Sequence, residues 1–168
     1  VTNALYEAIV ASARQPHFYS AWDVPDSPIG RFEMLSLHMF LFLERARDSS
    51  TALSKLAQDL TDEFFKDVDH SLRELGIGDM GVPKRMKKLA KMFYGRAEAY
   101  RAALAEGDRS ALAAALTRNV MPERAGVWPQ AIELAAYAER ASAFLATQDE
   151  AGLLAGRVEF PHAAEDQS

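Results

Sequence analysis

The residues best suited to metal chemistry are Asp67 and His70, which lie three positions apart. On a helix, this spacing places a carboxylate and an imidazole on one face, and Glu33 and Glu44 lie on another predicted helix. A carboxylate-bridged di-iron bundle needs two Glu-x-x-His pairs and two further glutamates. The chain offers one approximate pair, with aspartate in place of glutamate, so we interpret these residues as surface groups. A metal enzyme built around Asp67 and His70 is kept as an alternative.

His38 lies within MLSLHMFLFL (34–43), the most apolar stretch of the chain. We predict a core histidine that is hydrogen-bonded to a neighbour, with an inward-facing ligand or a pH-sensitive group as alternatives. The chain has no cysteine, which excludes disulfides, thiolate nucleophiles and cysteine-ligated zinc. GIGDMG (76–81) follows a predicted helix, whereas a dinucleotide fingerprint requires a strand there. We therefore predict no enzyme, no metal and no cofactor.

The strongest charge feature is a basic helix that follows the glycine-rich stretch at 76–81. Residues 82–101 hold seven basic residues and one acid, although the whole chain has a net charge of −5. An acidic protein that concentrates positive charge on one helix presents that helix to an anion, whether phosphate, lipid headgroup or acidic polypeptide. A pI of 5.4 argues against sequence-specific nucleic-acid binding. The predicted partner- or membrane-docking residues are Lys84, Arg85, Lys87, Lys88, Lys91 and Arg96.

A solvated surface, or ion pairs with the acids of the preceding helix, would also explain the basic residues. If the two helices form an antiparallel hairpin around residues 76–81, Lys88 lies level with Asp69, and Lys91 lies level with Lys66. Most of the acids then lie level with the far end of the basic helix. This register predicts that Asp69 alone can neutralise the basic surface.

The elements that position these residues are helices, because apolar residues recur at steps of three and four throughout the chain. The chain is predicted to be an all-α, single-domain bundle of six to seven mostly antiparallel helices, with a buried central helix at 31–48. Residues 16–30 are predicted to form an ordered loop. Residues 1–160 form the domain, and residues 161–168 are predicted to be a disordered tail. The other helices are predicted at about 1–15, 50–75, 83–107, 108–119 and 129–147, with one more turn after Asp149.

The longest apolar stretch is ten residues, which is shorter than the roughly 20 residues that a membrane span needs. The N-terminal stretch VTNALYEAIVASARQ is amphipathic and holds no continuous apolar run, so it does not resemble a secretory signal. We therefore expect a soluble protein that could still bind a membrane surface.

Several stretches together resemble the ubiquinol–cytochrome c chaperone family, the assembly factors of respiratory complex III, in its compact bacterial form. The third stretch is the most specific, because an acidic Phe-Phe helix, a glycine loop and a basic helix follow one another. The stretches are LYEAIVASARQPHFY (5–19), RFEMLSLHMFLFLERAR (31–47), DEFFKDVDHSLRELGIGDMGVPKRMKKLAKMFYGRAEAY (62–100) and ALAAALTRNV (111–120).

The resemblance implies a non-enzymatic chaperone that binds newly made cytochrome b and protects it until haem is inserted. It implies a cytoplasmic protein, peripheral to the inner membrane. The ribosome, an anionic lipid surface or a small partner subunit are further implied partners. Met92 and Tyr94 fall off the apolar stripe of the basic helix and are predicted as client contacts. The alternative is a lipid- or quinone-binding helical protein at the membrane surface.

Overall fold

The computed structural model describes residues 1–74, 81–124, 126 and 128–164. These residues form helices joined by turns and loops, which confirms the predicted all-α class. The glycine-rich stretch at 76–81 lies outside the described residues except for Gly81. The helices are α1 (Thr2–Ala13), α2 (Pro16–Ser20), α3 (Pro28–Ala46), α4 (Thr51–Glu74), α5 (Val82–Ala105), α6 (Arg109–Val120), α7 (Ala131–Thr147) and α8 (Glu150–Leu154).

Helix α3 is the centre of the bundle. It packs against α1, α4, α5, α6 and α7. Apolar side chains cover most of its circumference, and Met34, Leu37, Phe40 and Phe42 are all buried. A helix that is apolar on nearly every side must be surrounded by other helices, and this confirms the predicted buried central helix.

Helices α4 and α5 contact each other through aromatic side chains. Phe93 of α5 lies with its ring centroid 5.2 Å from Phe64 and 5.9 Å from Phe65 of α4. Edge-to-face contacts of this kind add to the burial of apolar area. The stripe Leu89, Phe93, Ala97 and Tyr100 is buried.

Side-chain caps fix three of the helix starts. Ser27 accepts a hydrogen bond from the backbone N–H of Gly30, and Pro28 occupies the first helical position. Asp108 caps α6 and Asp149 caps α8 in the same way. The five-residue α2 was not predicted. It begins at Pro16, inside the stretch interpreted as a loop, because proline at the first turn costs the helix no hydrogen bond.

Residues 161–163, which fall within the predicted disordered tail at 161–168, have defined contacts with the bundle. The Gln15 side chain donates to the Pro161 carbonyl at 3.2 Å and accepts from the Ala163 N–H at 2.8 Å. Ala163 is buried, and the Phe160 ring centroid lies 5.1 Å from that of His38. The Gln15 side chain therefore holds residues 161–163 at the junction between α1 and α2, and residues 165–168 lie outside the described part of the chain.

Among the described residues, no helix combines the length and the apolar character needed to cross a membrane.

Candidate interaction surface

Helix α5 has two faces of opposite character. The buried stripe packs on α3 and α4, while Lys84, Lys87, Lys88 and Lys91 are exposed on the other side. We call these four residues the lysine face. Their steps of three, one and three residues place them within one sector of the helix.

The lysine face has no acidic partner within the described part of the chain. Two acids of α4 pair with other groups: Asp59 with Lys55 at 3.6 Å, and Asp69 with Arg85. The predicted register placed Asp69 level with Lys88, whereas the structure pairs Asp69 with Arg85, almost one turn earlier. Asp69 does pair with the basic helix, but its partner is an arginine that points inward, and Asp69 is not alone because Glu33 of α3 pairs with Arg96.

Arg85 was predicted to be a docking residue, and the structure places it in an intramolecular ion pair. It is buried, with its Nε 2.6 Å from Asp69 Oδ1 and its Nη2 3.4 Å from Oδ2. The hydrogen bond from Arg85 holds the pKa of Asp69 below its usual value. Arg85 precedes Leu89 by four residues, so it lies on the edge of the buried stripe. Its function here is to join α4 to α5.

Arg96, another predicted docking residue, also forms an intramolecular ion pair. It binds Glu33 of α3 through two parallel hydrogen bonds of 2.8 and 2.7 Å, and its guanidinium lies 5.8 Å from the Phe32 ring centroid. Glu33 is buried, and burial raises the pKa of its carboxyl while Arg96 opposes this rise. A buried carboxylate needs such a partner because desolvation of an unpaired charge is costly. Arg96 lies three positions after Phe93, and this spacing places Arg96 beside the buried stripe.

The two predicted client contacts lie on opposite flanks of the lysine face. Tyr94 is 50% exposed, and its ring packs edge-on against Phe65 and Phe93. Met92 is half-buried, and its backbone carbonyl accepts from Arg96 at 3.3 Å. Tyr94 therefore offers more apolar surface to a partner than Met92 does.

A cleft of about 360 Å³ opens between α3, α4 and α5 beside Tyr94. Phe40, Phe93 and Ala97 contribute apolar surface to it, and the ion pair of Arg101 Nε with Glu44 Oε1, at 2.6 Å, lies at its polar margin. The sequence did not predict this cleft, because it depends on how three helices pack together.

His38 is a core residue, as predicted. Its Nδ1 lies 2.7 Å from the Met34 carbonyl oxygen, which can only accept, so Nδ1 carries the proton. Nε2 then accepts from the Tyr137 hydroxyl at 2.8 Å. Burial lowers the pKa of His38 to about 4. The histidine is therefore neutral near pH 7 and joins α3 to α7.

Asp67 accepts a hydrogen bond of 2.6 Å from the Tyr6 hydroxyl and so links α4 to α1. No three histidine or acidic residues come together as a metal-binding group in the described ranges. Glu33 and Glu44, the other carboxylates considered for a metal site, pair with Arg96 and Arg101.

The fold and this surface define an all-α domain with one exposed basic helix. A family model described as ubiquinol-cytochrome C chaperone matches residues 20–160. The chain therefore belongs to the ubiquinol–cytochrome c chaperone family, which confirms the resemblance read from its sequence.

Two relatives extend this finding. The crystal structure of the Cbp3 homolog from Brucella abortus superposes with a TM-score of 0.91 at 56% identity, covering 96% of this chain and 89% of that one. The Xenopus laevis protein ubiquinol-cytochrome-c reductase complex assembly factor 1 is 26% identical over 156 residues, which is 92% of this chain and 77% of that protein.

Proposed function

We propose that the protein is a non-enzymatic assembly chaperone that binds the newly made cytochrome b subunit and supports assembly of respiratory complex III. It acts at the cytoplasmic face of the inner membrane. Its family and its likeness to a complex assembly factor support this role. The proposed docking surface is the lysine face, and Tyr94 and Met92 beside it contact the client.

The observation that carries the docking role is the absence of acidic partners for the lysine face among the described residues. Four exposed ammonium groups that have no acidic partner in the described ranges keep their attraction for an external anionic surface. Each lysine near an anionic membrane contributes about 1 kcal/mol, and the attraction weakens as salt is added. The buried pairs of Arg85 and Arg96 hold the helix in place so that these lysines face outward.

The test reverses the charge of the lysine face by changing Lys84, Lys87, Lys88 and Lys91 to Glu in cells that lack the native copy. We expect assembled complex III and the cytochrome b haem signal of the membranes to fall, while the purified variant unfolds at a temperature close to that of the native protein. Vesicles with and without phosphatidylglycerol then distinguish lipid from an RNA or protein partner. Loss of binding to anionic vesicles identifies lipid as the docking partner.

A control variant changes four exposed basic residues on other surfaces to Glu, so its net charge equals that of the lysine-face variant. It should leave complex III at the native level. Normal complex III in the lysine-face variant would contradict the proposal. The control positions, each changed to Glu, are Arg14, Lys66, Arg118 and Arg157.

The cleft beside Tyr94 favours a second candidate, a lipid- or quinone-binding protein. Its volume and apolar floor could accept part of an acyl or isoprenoid chain. Ala57 lines this cleft and is only partly buried, so Ala57→Phe should fill it with little effect on the core. Ubiquinone or phospholipid that co-purifies with the native protein and not with Ala57→Phe would favour this candidate. Equal recovery of ubiquinone or phospholipid from the native protein and from Ala57→Phe would exclude the cleft as the binding site.

A further inference from the structure

A single exposed ridge runs along the whole of α5. Its members follow one another at steps of four or three residues, so they lie in one row on the helix. All are exposed, and none of the described residues forms an ion pair with them. In chain order, the ridge consists of Lys84, Lys88, Lys91, Gly95, Glu98, Ala102 and Glu106.

Gly95 lies at the centre of this ridge and has no structural reason to be glycine. A Cβ atom built on it meets no atom within 4 Å, and its backbone is helical. Glycine weakens a helix interior relative to alanine, so the free protein gains nothing from it. A glycine on an exposed helix face allows another helix to approach closely.

The charges on the two sides of Gly95 are opposite. The ridge is basic before Gly95 and carries Glu98 and Glu106 after it. Suppose that α5 of a second copy crosses antiparallel at Gly95. A residue that lies a given number of positions before Gly95 in one copy then faces the residue that lies the same number of positions after Gly95 in the other copy. Lys84 then faces Glu106 of the second copy, and Lys91 lies beside Glu98 of the second copy. Two-fold symmetry makes each attraction occur twice.

The centre of this arrangement is apolar. Ala99 and Ala102 follow Gly95, and Met92 and Tyr94 flank it. In the same register, Met92 falls level with Glu98 of the second copy, and Ala99 falls level with its Lys91. Small residues at the crossing and opposite charges towards the ends are a combination that favours close, specific helix pairing.

We propose that the protein self-associates as an antiparallel dimer through α5, with Gly95 at the two-fold axis. The second copy covers the lysine face, so dimer formation and docking on an anionic surface exclude each other. Because the charged pairs lie at the rim of a small interface, the dimer weakens as salt increases.

The experiment measures molar mass by sedimentation equilibrium at ionic strengths of about 0.05 M and about 0.5 M. We expect native protein to be dimeric at high concentration in low salt and monomeric in high salt. Lys91→Glu alone and Glu98→Lys alone should each give a monomer, because like charges then face each other. The double variant Lys91→Glu/Glu98→Lys should restore the dimer, since the pair is reversed but still opposite.

Two further variants control for folding and for net charge. Gly95→Leu should be monomeric, because the leucine side chain holds the two helices apart. The change removes a glycine from a helix interior, so loss of the dimer would not be due to a weaker helix. Lys66→Glu makes the same charge change as Lys91→Glu on an exposed part of α4 and should remain dimeric. A native protein that is monomeric throughout, or a double variant that stays monomeric, would overturn the proposal. The complex III assay is independent of these masses, so it separates a failure of self-association from a failure of the proposed function.

Discussion

At the scale of single residues, two buried polar side chains of α3 each have a partner on another helix. Glu33 binds Arg96 of α5, and His38 binds Tyr137 of α7. Such groups cost free energy when they lose their partners, so they favour one arrangement of the helices over its neighbours. The lysine face keeps its orientation because the Glu33–Arg96 pair fixes α5 against α3.

His38 gives a pH prediction. Its pKa is lowered from 6.5 to about 4, so the folded state keeps the imidazole neutral while the unfolded chain takes up a proton. The free energy of unfolding should therefore fall by about 3 kcal/mol between pH 6.5 and 4, relative to a variant without this group. Urea unfolding of the native protein and His38→Gln over this range measures it.

The native protein and the variant share every other titrating group, so the difference between their curves isolates His38. That difference should shrink as pH falls towards 4 and stay constant above pH 7. Parallel curves over the whole range would show that the folded state does not keep His38 neutral.

The residue contacts also show what the sequence could and could not predict. The apolar run around His38 was enough to predict a hydrogen-bonded core histidine. Charge alone made Arg85 and Arg96 look like docking residues. Their spacing from Leu89 and Phe93 was the signal that placed them at the edge of the stripe, but their partners lie on other helices and depend on long-range packing.

At the scale of elements, two glycines inside helices should respond oppositely to alanine. A Cβ at Gly30 of α3 would lie 1.8 Å from the Pro25 carbonyl oxygen, which is backbone and cannot move aside cheaply. Gly30→Ala should lower the free energy of unfolding by about 2–3 kcal/mol. Gly95→Ala should raise that of the monomer by up to about 1 kcal/mol, because only helix propensity changes there.

Denaturant unfolding of both variants at high salt, where the monomer is expected, measures these changes. The two shifts should have opposite signs. A Gly30→Ala variant as stable as the native protein would mean that Pro25 does not pack on α3 as described.

Helix positions were predictable because apolar residues at steps of three and four carry the information locally. Capping by Asp108 and Asp149 was equally local. The packed C-terminal segment was not predictable, since it depends on Gln15, which lies about 146 residues away in the chain. The cleft between α3, α4 and α5 was missed for the same reason.

At the scale of the whole molecule, the bundle isolates one basic surface in an acidic protein. Its family assigns it to the chaperones of ubiquinol–cytochrome c reductase. The lysine face then has two proposed occupants, an anionic docking surface and a second copy of the chain. Exchange between them would let the protein release its docking surface as its concentration or the ionic environment changes.

The most direct test of the proposed chaperone function is a survey of respiratory haem proteins in membranes from cells that lack this protein. We predict that cytochrome b of complex III is lost while the haem proteins of other respiratory complexes persist. The native gene should restore cytochrome b, and the lysine-face variant should not. Membranes that retain cytochrome b and assembled complex III without the protein would contradict the proposed chaperone function.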